Sequence, residues 1–321
     1  MKKLINNPYS YIRGFNYCPS YMSVLNDVMD CFDADIIRKE LAGAQKLGAN
    51  SIRVWVSHVS WLRDPEKFLA DFDTLLSIAD SYGLVVMPAL FNRWTDPDYP
   101  IGQLDLTNVL SPMSEVNKNY VRSFAGHFAR DPRILMWDLC NEPFFYSFRL
   151  SEESVLEIKR KERAYWMECV QLMREIAPSQ PLTIGFMGGV DPELEELYQA
   201  LDVISFHPYS EYWCEGYGNF VDGFIEEMNR LNKPLICTET CQGSLNDRTR
   251  AEIVVQTLTA LRDREIGWMA WHLCESRIVT GNRERTDGNC RPGEQGYMPF
   301  ILADGSIRPG HEVVLEFTKS K

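Results

Sequence analysis

Short apolar segments alternate with amphipathic segments along the whole chain, and this alternation constrains the fold more than any other feature. Eight segments rich in β-branched and aromatic residues have the length of strands: 12–17, 51–56, 84–90, 134–139, 182–186, 203–206, 235–238 and 267–272. Eight others carry apolar residues at helical spacing: 35–47, 65–82, 114–129, 151–176, 192–200, 220–231, 247–264 and 310–317. Strands that alternate with helices form parallel sheets, and eight such units close into a barrel. The sequence therefore predicts a single (β/α)8 barrel, or TIM barrel, as one domain over residues 1–321.

The competing architecture for this pattern is an open, doubly wound sheet. That fold usually carries a glycine-rich, phosphate-binding turn after its first strand. Residues 14–18 read Gly-Phe-Asn-Tyr-Cys and contain no such turn. The barrel is therefore favoured, and the irregular segments 92–112 and 273–299 are expected to be loops on its active face.

The charge and the cysteines of the chain argue against several classes of partner and site. The formal net charge is −12 and no run of Lys and Arg is present, so we expect binding neither to nucleic acid nor to an anionic membrane. No stretch of about 18 apolar residues could span a bilayer, and Asn6, Asn7 and Pro8 interrupt any N-terminal signal segment. Nine scattered cysteines without a CxxC pair argue against a disulfide framework or a thiolate zinc site. We therefore expect a cytoplasmic protein with reduced thiols.

Two glutamates stand at the ends of strand segments, where the active site of a barrel forms. Glu142 follows the fourth segment and Glu239 follows the seventh, so their carboxyls can face each other across the barrel. Retaining hydrolysis of a glycoside needs two carboxyls about 5 to 5.5 Å apart, one as nucleophile and one as acid/base. Arg53, His207 and Tyr209 lie at the same face and supply hydrogen-bond donors that keep one carboxyl ionised.

Taken together, these residues resemble the clan A glycoside hydrolases, and within that clan family 5 with its cellulase-like and mannanase-like members. The resemblance covers nearly the whole chain. The sequence Asn141-Glu142-Pro143 is similar to the clan's acid/base motif, which implies that Glu142 is the general acid/base and Glu239 the nucleophile. It also implies that Asn141 binds the sugar 2-hydroxyl, a contact that strengthens in the transition state.

The same resemblance assigns roles to the residues around the two glutamates. It implies that Arg53 and Tyr209 hold the carboxylate of the nucleophile, and His207 fits the His-x-Tyr pattern of the family. Trp271 corresponds to the aromatic floor of the −1 sugar subsite. Residues 296–309 resemble the clan's closing hairpin before the last helix.

The sequence departs from the family pattern after the third strand. A catalytic-face histidine is common there, whereas this chain has Asn92, which we expect to take its place and to alter the sugar preference. Trp94, Tyr212 and Trp213 could stack on sugar rings, because the C–H faces of sugars suit aromatic planes, but such residues are also common in cores and lids.

Three functions remain open from the sequence. The first is retaining hydrolysis of β-linked oligosaccharides or small glycosides, the second is endo-acting cleavage of a β-glucan or β-mannan, and the third is a catalytically silent barrel that binds sugars. No HxH or HExxH spacing is present, so we expect neither a metal nor a cofactor. Cys237 and Cys241 flank Glu239, and we interpret them as structural residues rather than nucleophiles. The sugar at the −1 subsite and the oligomeric state depend on loops and surfaces and stay open.

Overall fold

Eight parallel strands form a closed barrel in the computed structural model, which describes residues 1–22, 27–93, 112–144, 151–209, 216–276 and 297–319. The strands are β1 (Arg13–Asn16), β2 (Ser51–Trp55), β3 (Val85–Asn92), β4 (Trp137–Asn141), β5 (Leu182–Met187), β6 (Ile204–His207), β7 (Leu235–Cys237) and β8 (Gly267–Ala270). Each strand pairs with the next, and Phe15 of β1 lies opposite Ala270 of β8, which closes the sheet. Each strand overlaps one predicted segment, so the predicted (β/α)8 barrel is confirmed.

Helices cover the outside of the barrel. They are α1 (Ala34–Lys46), α2 (His58–Arg63), α3 (Pro65–Ser81), α4 (Glu115–His127), α5 (Glu152–Ile176), α6 (Glu195–Ala200), α7 (Tyr217–Leu231), α8 (Asp247–Asp263) and α9 (Leu315–Thr318). Short 3-10 turns, Pro192–Leu194 and His311–Val314, precede α6 and α9. Helix α2 was not expected, because six residues are too few to show a helical period. Among the helices of the described ranges, none combines the length with the apolar composition that a bilayer-spanning helix requires.

Helix α1 shows how the sequence sets the outer layer. The side chain of Asp33 accepts hydrogen bonds from two backbone N–H groups of the first turn, as an N-cap residue does. Gly48 has a φ of +72° just beyond the helix, in the left-handed region that glycine adopts without strain. Between these ends, Ile37, Leu41 and Ala44 are fully buried at helical spacing. The predicted helix over 35–47 is therefore present with the ends that its sequence indicates.

The interior of the barrel is layered, with an apolar layer beneath a polar one. The apolar layer contains Ile12, Met87, Met136, Val203, Ile236 and Met269. Two residues after Met136, Val203 and Ile236 come Asp138, Ser205 and Thr238, which are fully buried polar residues in or next to β4, β6 and β7. Since residues two apart in a strand face the same side, the polar layer lies nearer the carboxyl ends of the strands. The fold thus places polar side chains where the active site of a barrel is built.

A hairpin precedes the last helix, as expected for residues 296–309. Ile301 pairs antiparallel with Ile307, and the N–H of Leu302 donates to the carbonyl of Ser306 over 2.9 Å. The first arm is tied to the end of β8, because the N–H of His272 donates to the carbonyl of Met298 over 3.2 Å. Residue 296 itself lies outside the described residues.

Candidate active site

Arg53 is fully buried at the centre of the polar layer and connects three strands. Its guanidinium makes five hydrogen bonds, one for each N–H that an arginine side chain carries. Its Nε and Nη2 both donate to Oδ2 of Asp138, over 2.9 and 2.7 Å. Nη2 also donates to Oδ1 of Asn141 over 2.7 Å. Nη1 donates to Oδ1 of Asn16 over 3.0 Å and to Oε1 of Glu239 over 2.6 Å. Arg53 in β2 is thereby fixed to β1, to β4 and to the segment after β7.

Asp138 and Asn141 reach the same guanidinium although they are three residues apart in β4. In a regular strand, residues at an odd separation face opposite sides. The register between β4 and β5 shifts between Asp138 and Asn141, and this bulge turns the end of the strand inward. Burial raises the pKa of Asp138 to about 6, against the opposing effect of Arg53. Asp138 and Asn16 are not among the predicted site residues, and the signal for them is a polar residue inside an apolar strand segment.

Glu239 follows β7, and hydrogen bonds hold its carboxylate at both oxygens. Arg53 donates to Oε1 over 2.6 Å, and the hydroxyl of Tyr209 donates to Oε2 over 2.9 Å. The side chain of Glu239 is only 6% exposed. Because the two donors bind different oxygens, they fix the orientation of the carboxylate plane.

Glu142 follows β4 in a backbone conformation that aims its side chain into the barrel mouth. Its φ is +53°, in the left-handed region that residues other than glycine rarely adopt. Its N–H donates to the carbonyl of Gly185 in β5 over 2.8 Å, which holds the turn. Its Oε1 lies 2.8 Å from Nδ1 of His207. Strained backbone of this kind persists where the surrounding structure fixes it, and it is frequent at functional sites.

The carboxyls of the two glutamates face each other at short range. One oxygen of Glu142 and one of Glu239 lie within 4.8 Å of each other, and a ring nitrogen of His207 lies within that distance of both. Retaining glycosidases hold their two carboxyls about 5 to 5.5 Å apart, whereas inverting enzymes separate them by about 6.5 to 9.5 Å. In this chain one carboxyl oxygen of each glutamate lies within 4.8 Å of the other, which is shorter than the separation in inverting enzymes.

His207 is a neutral residue packed beneath Glu142. Burial lowers its pKa to about 3, so its contact with Glu142 is a hydrogen bond and not an ion pair at neutral pH. Its other nitrogen, Nε2, lies 2.9 Å from Oγ1 of Thr238, a residue that is not among the predicted site residues. Gly185 provides the space for this arrangement, since an added Cβ would lie 2.9 Å from Nε2 of His207 and 3.1 Å from Nη2 of Arg53.

Asn141 is fixed through both ends of its amide. Its Oδ1 accepts from Arg53, and its Nδ2 donates to Oδ1 of Asn92 over 3.1 Å. Asn92 is the last residue of β3 and is 3% exposed. The asparagine that stands where a histidine is common therefore contacts the first residue of the Asn-Glu-Pro motif directly. Its effect on sugar preference stays a prediction.

Trp271 lies just after β8 in a small apolar cluster on the active face. The cluster also contains Trp55, Cys18 and Met298, and Tyr209 packs against it. The rings of Trp271 and Trp55 meet edge to face, with centroids 5.3 Å apart. This packing fixes an aromatic ring beside Tyr209, which is where a subsite floor is expected. The contact with sugar itself stays a prediction.

Cys237 and Cys241 are poorly suited to act as nucleophiles. Burial raises the pKa of the Cys237 thiol well above its usual range and that of Cys241 to about 11, so both stay protonated at neutral pH. The thiol of Cys237 donates to the carbonyl of Glu239 over 3.3 Å. The seven cysteines of the described ranges are all free thiols.

Several predicted substrate contacts lie outside the described residues. Trp94 belongs to segment 94–111, and Tyr212 and Trp213 belong to segment 210–215. Most of the predicted loop over 273–299 also falls outside them. The roles expected for these residues stay predictions.

The ligand atoms of Glu142, His207 and Glu239 are spaced closely enough for a cation to bind among them. Arg53 opposes this use, because its permanent positive charge lies 2.6 Å from Oε1 of Glu239 and repels a second cation. The arrangement therefore suits proton transfer and nucleophilic attack by a carboxyl pair better than it suits metal binding.

A family model agrees with this site. The model described as cellulase (glycosyl hydrolase family 5) matches residues 32–277, a range that includes both glutamates. The chain belongs to glycosyl hydrolase family 5. This confirms the resemblance to a clan A, family 5 glycoside hydrolase, despite the asparagine at position 92.

Solved structures share the fold of this family 5 chain at low sequence identity. The endo-β-1,4-mannanase from Thermotoga petrophila aligns over 98% of this chain and 78% of its own, with 17% identity and a TM-score of 0.65. The exo-β-1,4-mannosidase Op5Man5 from Opitutaceae bacterium strain TAV5 aligns over 98% of this chain and 62% of its own, with 18% identity and a TM-score of 0.67. The β-glucuronidase 2 from Bacteroides uniformis aligns over 95% of this chain and 34% of its own, with 15% identity and a TM-score of 0.67. This chain thus spans about a third of the glucuronidase chain, and no curated protein sequence matches it.

Proposed function

We propose that this family 5 protein hydrolyses β-linked glycosides with retention of configuration, with Glu239 as nucleophile and Glu142 as general acid/base. The observation that carries the proposal is the spacing of the two carboxyls, whose oxygens lie within 4.8 Å of each other. This spacing is nearer to the separation of about 5 to 5.5 Å in retaining enzymes than to that of about 6.5 to 9.5 Å, at which inverting enzymes admit a water molecule.

The surroundings of the two carboxyls support this division of roles. Glu239 faces the guanidinium of Arg53, whereas Glu142 faces the neutral imidazole of His207. When two carboxyls share a site, the negative charge is favoured beside the cation and the proton on the other group. Glu239 is therefore the nucleophile and Glu142 the acid in the first step.

In that first step, an oxygen of Glu239 bonds to the anomeric carbon as the bond to the leaving oxygen breaks. Glu142 transfers its proton to the leaving oxygen, and a covalent glycosyl-enzyme remains on Glu239. In the second step, Glu142 takes a proton from water while the water oxygen attacks the anomeric carbon and releases Glu239. Asn141, which Arg53 and Asn92 hold in place, is positioned to bind the 2-hydroxyl of the reacting sugar.

The substrates we propose are β-linked oligosaccharides or small glycosides. Two of the similar structures described above carry the names endo-β-1,4-mannanase and exo-β-1,4-mannosidase. We therefore place mannosides first among the candidates, with glucosides, xylosides, galactosides and cellobiosides after them.

The test is hydrolysis of a panel of aryl β-glycosides by the wild type, Glu142→Gln and Glu239→Gln. We expect one substrate to be turned over and both variants to be nearly inactive on it, at unchanged thermal stability. Turnover of longer oligosaccharides alone would indicate an endo-acting cleft. A substrate that Glu239→Gln still cleaves at the wild-type rate would contradict the assignment of the nucleophile, and inactivity on the whole panel and on oligosaccharides would favour a silent sugar-binding barrel.

A further inference from the structure

Three buried side chains form a hydrogen-bonded chain that ends on Glu142. The hydroxyls of Ser205 and Thr238 are in contact in the barrel interior. Oγ1 of Thr238 lies 2.9 Å from Nε2 of His207, and Nδ1 of His207 lies 2.8 Å from Oε1 of Glu142. Ser205 and Thr238 are fully buried and His207 is 1% exposed, so the direction of these hydrogen bonds is set by the protein groups alone.

The number of donors and acceptors sets the direction in which the hydrogen bonds run. His207 is neutral, because burial lowers its pKa to about 3, and a neutral imidazole donates from one nitrogen and accepts at the other. If Ser205 donates to Thr238 and Thr238 donates to Nε2 of His207, then Nδ1–H donates to Glu142 and every proton has an acceptor. In the opposite direction the hydroxyl proton of Ser205 has no acceptor among the described residues, which is costly for a buried donor.

We propose that Thr238 and Ser205 are positioning residues that hold His207 in its Nδ1–H tautomer and thereby direct the acidic proton of Glu142 to Oε2. The inference rests on the proposed function, in which Glu142 is the acid/base. Nδ1–H of His207 donates to Oε1, and the unprotonated oxygen of a carboxyl accepts a hydrogen bond better than its hydroxyl oxygen does, so a proton on the carboxyl is directed to the other oxygen.

This arrangement serves both steps of the reaction. In the first step the proton leaves Oε2 for the leaving oxygen of the substrate, and the bond from His207 to Oε1 stabilises the carboxylate that forms. In the second step Oε2 takes the proton from water. His207 keeps its own proton throughout, so it acts by orientation and not by proton transfer.

Other charged groups surround the same imidazole and have to stay constant in a test. Arg53 approaches from β2 and is paired with Asp138 of β4, and Glu239 lies 3.9 Å from Nδ1 on the side of β7. The hydroxyl of Thr238 takes no part in the bonds that Arg53 makes to these two carboxylates. Variants at Thr238 therefore change the series of hydrogen bonds from Ser205 to Glu142 without changing the charge of the site.

The kinetic test compares Thr238→Val, which removes the hydroxyl at nearly constant shape, with Thr238→Ser, which keeps it. Loss of the donor to Nε2 weakens the bond from Nδ1–H to the carboxylate, so the protonated acid persists to higher pH. We expect Thr238→Val to lower kcat/KM about 3- to 10-fold and to move the alkaline limb of its pH profile up by about half to one pH unit. Thr238→Ser should restore both. Thr183→Val is the matched control, since the buried hydroxyl of Thr183 has no partner among the described residues.

The tautomer is measured directly by nitrogen NMR of the wild type with isotope-labelled histidine. The chain has five histidines, and the signal that is missing from His207→Gln belongs to His207. We expect a neutral ring protonated at Nδ1. A ring protonated at Nε2, or a wild-type pH profile in Thr238→Val, would overturn the proposal. The proposed function would fail separately, through an inactive wild type or an active Glu142→Gln, and the NMR result does not depend on either.

Discussion

Replacing Arg53 with lysine tests whether the guanidinium network organises the site. The substitution keeps the positive charge but offers three donors in place of five, so at least two of the five hydrogen bonds are lost. The acceptors lie in β1, in β4 and after β7, and a compact ammonium cannot reach all of them. We therefore expect a loss of both stability and activity.

The magnitudes follow from the number and kind of bonds. A hydrogen bond to a charged group contributes about 1.5 to 3 kcal/mol, so losing two lowers the free energy of unfolding by about 3 kcal/mol or more. For a chain of this size that corresponds to a fall in Tm of roughly 6 °C, at about 2 °C per kcal/mol. Loss of the bond to Glu239 alone lowers kcat/KM about 10- to 150-fold, since about 1.4 kcal/mol is a factor of ten.

Thermal unfolding and kcat/KM on the best aryl glycoside measure the two effects. The matched control is Arg248→Lys, because the side chain of Arg248 is 89% exposed and pairs only with Glu252 of the same helix among the described residues. That control should leave both quantities within error. If Arg53→Lys kept kcat/KM within threefold of the wild type and its Tm unchanged, the guanidinium would not be the group that holds Glu239.

Three further substitutions test separate parts of the site and fold. Tyr209→Phe removes one donor to Glu239 and should lower kcat/KM about 10-fold without changing the Tm, whereas an unchanged rate would remove Tyr209 from the site. Gly185→Ala crowds His207 and should cost about 1 to 3 kcal/mol of stability, measured by urea unfolding; a neutral effect would contradict the close approach. Burial lowers the pKa of His311 to about 4, so the wild type takes up a proton there on unfolding and loses stability as the pH falls below about 6.5. As the pH is lowered from 6 to 5, the free energy of unfolding of the wild type should therefore fall by about 1 kcal/mol more than that of His311→Asn. An equal fall in the two proteins would refute this.

Much of the barrel could be predicted from the sequence because every strand and most of the helices have a local pattern of their own. The side chain of Arg53 stands in an apolar strand segment and could be placed at the active face on that ground. Glu142 and Glu239 could be placed there because each lies within a few residues of the end of a predicted strand. These predictions depend only on the alternation of strands and helices and on the polarity of single positions.

The rest of the site depends on features that the sequence pattern does not show. The bulge in β4 brings Asn141 to the same side as Asp138, which strict alternation forbids. Thr238 and Ser205 look like ordinary strand residues, and only the pairing of β6 with β7 brings their hydroxyls into contact beneath His207. Helix α2 was missed because six residues show no helical period.

The most direct test of the central claim is azide rescue of Glu239→Ala and Glu142→Ala on an activated aryl glycoside of the sugar that the wild type cleaves. With the nucleophile removed, azide attacks from the face that Glu239 occupied, so Glu239→Ala should yield a glycosyl azide of inverted configuration. With the acid/base removed, azide attacks the glycosyl-enzyme, so Glu142→Ala should yield a glycosyl azide of retained configuration. The opposite pair of products, or a folded Glu239→Ala that azide does not rescue, would contradict the assignment of Glu239 as the nucleophile.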